Sequence, residues 1–241
     1  MHKEHRNCVV LVTHRMDEPM LRYLRFLKRE ITEVMDFCIL YDRHTQELDP
    51  ADYPDLEFRL FDSGAIEGFF HGGNRRIPNP LLPLLGFAKE EAYEHYLVME
   101  GDLAFTGDWR AFVRKIDGLQ CDYVHIAADV LGDPRHWPRT YIEDFPFPRL
   151  YFAWCHLFCA SRRFLSDIEA FTKENGSIYY EFLLPSMAYC KGYYIRQFEN
   201  FGYQFQVSYG PADVYERKYL QEHTPNTFYH PVKDSNLINT E

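Results

Sequence analysis

Short apolar runs alternate with helix-spaced patterns through the first half of the chain, and this alternation restricts the fold more than any other feature. Cys8-Val9-Val10-Leu11-Val12-Thr13 is a continuous, largely β-branched run, as expected of a strand covered on both faces. Asp17-Glu18-Pro19 follows, an acidic first turn with an early proline that marks a helix start. Met20, Leu21, Leu24, Phe26, Leu27 and Ile31 then recur at helical spacing. Residues 37–41, 57–61, 96–99 and 123–127 read as further strands. Residues 81–96, 108–116, 161–172 and 180–189 read as helices. Residues 62–80 are rich in Gly, Asn and Pro and read as a loop. In the second half, 129–148 reads as loop, 151–159 and 193–198 as strands, and the tail after Gly210 has little periodicity until 227–233. The pattern predicts an α/β protein with a Rossmann-type, mainly parallel sheet flanked by helices. No repeat or linker divides residues 1–241, which predicts a single domain.

Charge and cysteine usage narrow the function classes. With 26 basic and 36 acidic residues the net charge is −10, which repels phosphate backbones and argues against nucleic acid as a partner. No run approaches the roughly 20 apolar residues needed to cross a bilayer. The apolar run at 8–12 is shorter than the roughly 7–15 residues of a signal-peptide core. Six cysteines stand at 8, 38, 121, 155, 159 and 190 without a C-x-x-C pair. They read as reduced, mostly buried thiols of a cytoplasmic protein. Aromatic residues make up 17% of the chain. Composition alone does not decide between a ring-rich core and stacking surfaces for sugars or bases.

Ligands of open α/β sheets sit beyond the carboxyl ends of the strands, near the reversal of strand order. Here those ends carry Thr13, His14, Asp42, Asp62, Glu100 and Asp102. The sharpest motif is Tyr96-Leu97-Val98-Met99-Glu100-Gly101-Asp102. A spacing of two puts both carboxylates on one face, and Gly101 permits a tight turn or close approach. Carboxylate oxygens suit Mg²⁺ or Mn²⁺, which also bind phosphate oxygens. The same acids would also suit a turn before the helix that starts near Asp108. Gly72-Gly73-Asn74-Arg75-Arg76 has the residues of an anion loop, or of a solvated surface loop. His230-Pro231-Val232-Lys233 offers an imidazole and an ammonium, or simply a polar tail. Glu181 stands among aromatics, either as a desolvated base or as an acid favoured at a helix start. Cys155-His156 with Cys159, inside an aromatic strand, reads as buried core rather than as a soft-metal site.

Taken in order, these pieces resemble GT-A-type glycosyltransferases, with Glu100-Gly101-Asp102 as a variant of their Asp-x-Asp motif. The stretch 71–113 is similar to a group of bacterial glycosyltransferases of polysaccharide gene clusters. The shared series is a Gly-Asn loop (Gly73-Asn74), a Pro-Leu-Leu helix (Pro80 to Leu85), an acid-x-Asp strand end, and Gly107-Asp108-Trp109. Ser161-Arg162-Arg163-Phe164-Leu165, Tyr180-Glu181 with Leu184-Pro185, and Tyr229 to Lys233 extend the likeness over most of the chain.

The resemblance implies a GT-A-like domain with a nucleotide-sugar-binding half, about 1–128, and an acceptor-binding half with the tail, about 129–241. It implies transfer of a sugar from a nucleotide-sugar donor to a saccharide or lipid-linked saccharide hydroxyl in bacterial surface polysaccharide synthesis. Thr13 and His14 would line the nucleotide pocket, and Asp42 would meet base or ribose. Asn74 and Arg75 would lie near the diphosphate, and Glu100 would face sugar or ribose. Mn²⁺ or Mg²⁺ would be held by Asp102 and His230, with Glu100 beside them, and Lys233 would meet phosphate. Glu181 would be the acceptor-side base. Trp137, Trp154 and Tyr180 would offer stacking surfaces to the acceptor. The Glu at the first motif position also admits a metal-independent mode resting on Lys233 or Arg75. Contact with a lipid-linked acceptor would be peripheral, at the inner face of the membrane. Two rivals stand beside this reading. One is a sugar nucleotidyltransferase, although Thr13-His14-Arg15-Met16 lacks that class's long Gly-rich loop. The other is an inactive carbohydrate-binding or assembly subunit.

Overall fold

In the computed structural model, residues 4–71, 77–130, 146–176, 178–208 and 211–238 are described. Asn74, Arg75 and Trp137 lie outside them. The first half runs β1 (Asn7–Thr13), α1 (Glu18–Ile31), β2 (Asp36–Asp42), β3 (Phe58–Phe61), β4 (Phe70–His71), β5 (Ile77–Pro78), α2 (Leu81–Glu90), β6 (His95–Glu100), β7 (Ala104–Phe105), α3 (Trp109–Asp117) and β8 (Tyr123–His125). The second half runs β9 (Asp129–Val130), β10 (Tyr151–Phe152), β11 (Leu157–Ser161), α4 (Arg162–Asn175), α5 (Tyr180–Lys191), β12 (Ile195–Gln197), β13 (Gln204–Val207), α6 (Ala212–Glu222) and β14 (Thr227–His230).

Seven strands form one sheet in the order β12-β8-β11-β6-β1-β2-β3. Only β11 runs against its neighbours in this sheet. The parallel triplet β1-β2-β3 grows to one side of β1 and β6 pairs on the other, so strand order reverses at β1 and β6. Residue alternation within the strands fills two separate cores. Val9 and Leu11 of β1 face α1 and α3, through Leu24, Leu27, Phe112 and Val113. Cys8 and Val10 face α2, α4 and α5, through Leu84, Phe164, Leu165 and Leu183. This is the predicted α/β sheet with helices on both faces. Among the described residues, the twelve largest fully buried side chains are all Tyr or Phe, so much of the aromatic excess is core.

Helix ends follow the local chemistry. Asp17 caps α1 by accepting from Met20 N at 3.0 Å, and Asp108 caps α3 by accepting from Ala111 N at 2.9 Å. Ser161 caps α4 by accepting from Phe164 N at 3.1 Å. Three sequence expectations need correction. The helix predicted over 81–96 ends at Glu90, because the Tyr96 hydroxyl donates to Glu91 O at 2.6 Å and Tyr93 bonds Asp36 at 2.8 Å, so the chain turns there. The strand predicted over 151–159 is two short strands, β10 and β11, in different sheets. The aperiodic tail contains α6, whose single fully packed side chain, Tyr219, leaves little amphipathic signal to read.

A second sheet, β13-β14-β7, brings the tail back to the main sheet. In it β14 pairs antiparallel with β7, which follows β6 directly. Phe105 and Phe228 stack at 4.1 Å, and Phe205 stacks on Phe228 at 5.2 Å. Val232 N donates to Asp102 O at 2.8 Å just beyond this sheet, so the tail is fastened to the end of β6. The six cysteines are free thiols, and all but Cys190 are buried. No helix among the described residues is long and apolar enough to cross a membrane.

Candidate functional site

A cleft of about 460 Å³ opens at the carboxyl ends of β1, β2 and β6, where strand order reverses. Thr13, His14, Asp42, Glu100, Asp102 and Lys233 line it, with Phe61, Phe69 and Phe70 as an apolar wall. The position follows from topology, since adjacent strands diverge to opposite sides there. Gly101 sets the cleft floor. Its N–H donates to Val12 O at 2.9 Å, and a Cβ at this position would lie 2.9 Å from Thr13 Cβ. Only glycine lets the end of β6 come this close to β1.

At the nucleotide side, Asp42 Oδ1 accepts from His44 N and Ser63 N, both at 3.0 Å, and neither bond uses Oδ2. Thr13 Oγ1 accepts from Arg15 N at 3.2 Å. The Arg15 guanidinium pairs with Asp17 at 2.6 Å and also donates to Lys233 O, which ties the tail to the loop after β1.

The centre of the site joins residues far apart in sequence. Lys233 Nζ is paired with Asp102 Oδ2. His230 Nε2 lies 3.0 Å from Glu100 Oε2 and 3.1 Å from Asp102 Oδ1. His230 Nε2 thus sits between the two carboxylates as their shared ion-pair partner. His230 Nδ1 is buried with no hydrogen-bond partner among the described residues. Glu100 Oε1 accepts from the Tyr180 hydroxyl at 2.9 Å, and Oε2 lies 3.1 Å from His156 Nδ1.

These neighbours control the charges. Burial by itself pushes Asp102 up, but contact with His230, and then Lys233, holds it down at about 2. Burial likewise opposes ionisation of Glu100, and His156 and His230 together hold it well below the usual carboxylate range. Burial pushes His230 down, but Asp102 and Glu100 outweigh it and raise the imidazole to about 9. At neutral pH His230 is therefore a cation held between two ionised carboxylates, and a divalent ion could use its nitrogen only by displacing that proton.

The structure therefore brings together Thr13, His14, Asp42, Glu100, Asp102, His230 and Lys233. It does not bring Glu181 to the cleft. Glu181 is fully buried at the start of α5, with Oε1 accepting from Cys155 N at 3.2 Å and Oε2 from the Tyr179 hydroxyl at 2.9 Å. Tyr180 is itself buried and reaches Glu100 rather than presenting a free face. Trp154 is half-buried and stacks on His156 at 5.5 Å. Sequence reasoning assigned His156 to the core together with Cys155 and Cys159. The two cysteines are core, their thiols pushed up by burial. His156 sits opposite the end of β6, where its carbonyl accepts from Glu100 N at 3.0 Å. Its signal was present in sequence only as a polar residue just before a buried strand.

A second cavity of about 410 Å³ lies at the other end of the sheet, beside His95, Asp122 and Arg163. Its buried acid, Asp122, is satisfied by Ser161 Oγ at 3.1 Å, Tyr194 N at 3.0 Å and the Arg163 guanidinium at 2.5 Å, so that acid is occupied structurally.

The sequence matches no family model and no curated protein. Solved structures with a loosely similar arrangement do exist. One is described as a glucose-1-phosphate thymidylyltransferase from Bacillus anthracis, at 11% identity and TM-score 0.47, over 80% of this chain and 86% of that one. Another is the inositol-1-phosphate CTP transferase from T. maritima, at 11% identity and TM-score 0.45, over 80% and 84%. A third is the glycosyltransferase GlyE of Streptococcus pneumoniae, at 10% identity and TM-score 0.39, over 80% of this chain and 45% of that one. Likeness at this level carries nothing about substrate or activity.

Proposed function

We propose that this chain is a transferase acting on nucleotide-activated sugars, with the nucleotide diphosphate held in the cleft at the ends of β1 and β6. The observation that carries this reading is the meeting of Glu100, Asp102, His230 and Lys233 at the mouth of that cleft. Asp42 Oδ2 is free of the two bonds that fix Oδ1, and suits a ribose hydroxyl. Lys233 and Arg15 supply positive charge to phosphate at the same mouth, within a protein of net charge −10. Asp102, His230 and Glu100 would hold Mn²⁺ or Mg²⁺. A bound divalent ion would offset charge growing on the diphosphate. Electrostatic stabilisation of this kind is usually the largest contribution to such a reaction.

Two reactions fit this cleft. In glycosyl transfer, an acceptor hydroxyl displaces the diphosphate from the sugar. The ordered series of motifs ending in His230 and Lys233 supports it, with a saccharide or lipid-linked saccharide of bacterial surface polysaccharide as acceptor. In sugar nucleotidyl transfer, a sugar phosphate attacks the α-phosphorus of a nucleoside triphosphate. The burial of Glu181 favours this second reaction, because an ionised phosphate nucleophile needs no general base, whereas a hydroxyl does. Product analysis separates them. Incubation with sugar 1-phosphates and nucleoside triphosphates yields pyrophosphate if the chain is a nucleotidyltransferase. Incubation with nucleotide sugars and a glycan acceptor yields free nucleoside diphosphate if it is a glycosyltransferase. Neither product, with nucleotide nevertheless bound, would leave an inactive binding subunit.

A further inference from the structure

We propose that Glu216 of α6 is a positioning residue, which grips the backbone at Lys233 and so aims the Lys233 ammonium at the diphosphate-binding mouth of the cleft. This deepens the proposed function and rests on it for the role of Lys233.

Residues 231–234 belong to no helix or strand, and the Lys233 side chain is 57% exposed. Neither a ladder nor packing therefore fixes this ammonium, which sits on a flexible four-carbon stem. The segment is fixed instead by bonds to its backbone. Val232 N donates to Asp102 O at 2.8 Å. Lys233 N and Asp234 N both donate to Glu216 Oε1, at 2.9 and 3.0 Å. The Arg15 guanidinium donates to Lys233 O and is itself paired with Asp17 at 2.6 Å. Lys233 is thus gripped at its N–H and at its C=O, while its side chain meets Asp102. Two consecutive N–H groups aimed at one carboxylate oxygen leave the turn at 233–234 little freedom, and bonds to an ionised acceptor are the stronger kind.

Helix α6 gives Glu216 a firm base. Tyr219 lies on the same helix face, three residues on, and is buried against Tyr229 of β14 with the rings 5.5 Å apart. Among the described residues, no α6 side chain lines the cleft. The helix therefore acts on the site through Lys233.

The sign of the effect separates positioning from charge. Glu216 carries a negative charge close to a place that binds anions. On charge alone, its removal would tighten diphosphate binding. Positioning demands the reverse, because a Lys233 released from its grip must be ordered at the moment of binding.

The test is isothermal titration of the full chain with whichever of UDP, GDP, CDP and dTDP gives the largest melting shift. Lys233→Ala should weaken binding by about 10–100-fold, as for a lost bond to a charged group. Glu216→Ala should weaken it by about 10-fold, and should cost nothing further in the Lys233→Ala background. Glu216→Gln keeps an acceptor oxygen without the charge and should bind like the natural chain. Affinity kept or raised in Glu216→Ala overturns the proposal, as does a loss that adds in full to that of Lys233→Ala. Should Glu216→Ala fail to fold, amide exchange of the natural chain decides. The Lys233 and Asp234 amides must both exchange slowly, and exchange at the unprotected rate at either one overturns the grip. A natural chain that binds none of the four diphosphates overturns the transferase reading and this role with it. A natural chain that binds, loses affinity in Lys233→Ala and keeps it in Glu216→Ala overturns the positioning role alone.

Discussion

Tyr180 reaches Glu100 through its hydroxyl, whereas Glu181, one residue on, is sealed between Cys155 and Tyr179. Replacing Glu181 with Ala removes the acceptor for two buried donors, at a cost of about 1–3 kcal/mol for each group left unsatisfied. The expected outcome is a lower melting temperature, with turnover per folded molecule near that of the natural chain. Turnover lost without a loss of stability would instead make Glu181 part of the reaction. Asp102→Asn is the converse case. It keeps the shape but removes charge at the cleft mouth, so transfer should fall by about 10²–10³-fold with the fold retained. A kinetic assay beside a melting curve checks both halves of that statement. Burial pushes His125 down to about 4, and its two ring nitrogens contact Ile126 O and the Tyr189 hydroxyl. Its folded pKa therefore lies below the unfolded value of about 6.5. The stability it contributes is present above pH 6.5 and is lost as pH falls from 6.5 to 4, then levels off. The full loss is about 3 kcal/mol, and denaturant titrations at pH 7, 5 and 4 measure it against His125→Gln.

At the scale of elements, the site depends on how β1, β6 and β14 end. Gly101→Ala would drive a methyl to within 2.9 Å of Thr13 Cβ and Oγ1, so the ends of β1 and β6 must part. Nucleotide binding should weaken, with a loss of stability of about 1–3 kcal/mol, typical of overpacking. Isothermal titration together with chemical denaturation measures both. The strands that end at this floor, and the helix starts that follow strands of the main sheet, were legible in sequence. The run at 8–13, the caps Asp17, Asp108 and Ser161, and the acid pair Glu100 and Asp102 all carry local signals. What was not legible depended on long-range register. His156 becomes a site residue because β11 pairs antiparallel with β6 and sets it opposite Glu100. Glu181 leaves the site because the first turn of α5 buries it against the segment before β11. No spacing within 178–185 distinguishes Glu181 from Tyr180 in that respect. Helix α6 carries no readable signal because its side chains are half-buried or exposed, with Tyr219 alone packed, so it has no apolar stripe.

Across the whole molecule, two cores on opposite faces of one sheet hold the strand ends in register, and the small sheet β13-β14-β7 delivers His230 and Lys233 across more than 120 residues of sequence. The cleft is thus a place where a net-negative protein gathers Arg15, His230 and Lys233 beside two carboxylates. That balance suits a diphosphate with a cation better than either alone. The most direct test is thermal melting of the purified protein against UDP, GDP, CMP and dTDP, each with and without Mn²⁺. A ligand at about 100 times its dissociation constant adds roughly 2.7 kcal/mol. In a chain of this size that raises the midpoint by about 2–4 °C. The account predicts such a shift with at least one nucleotide, larger when Mn²⁺ is present and abolished in Asp102→Asn. No shift with any nucleotide, with or without the ion, would contradict it.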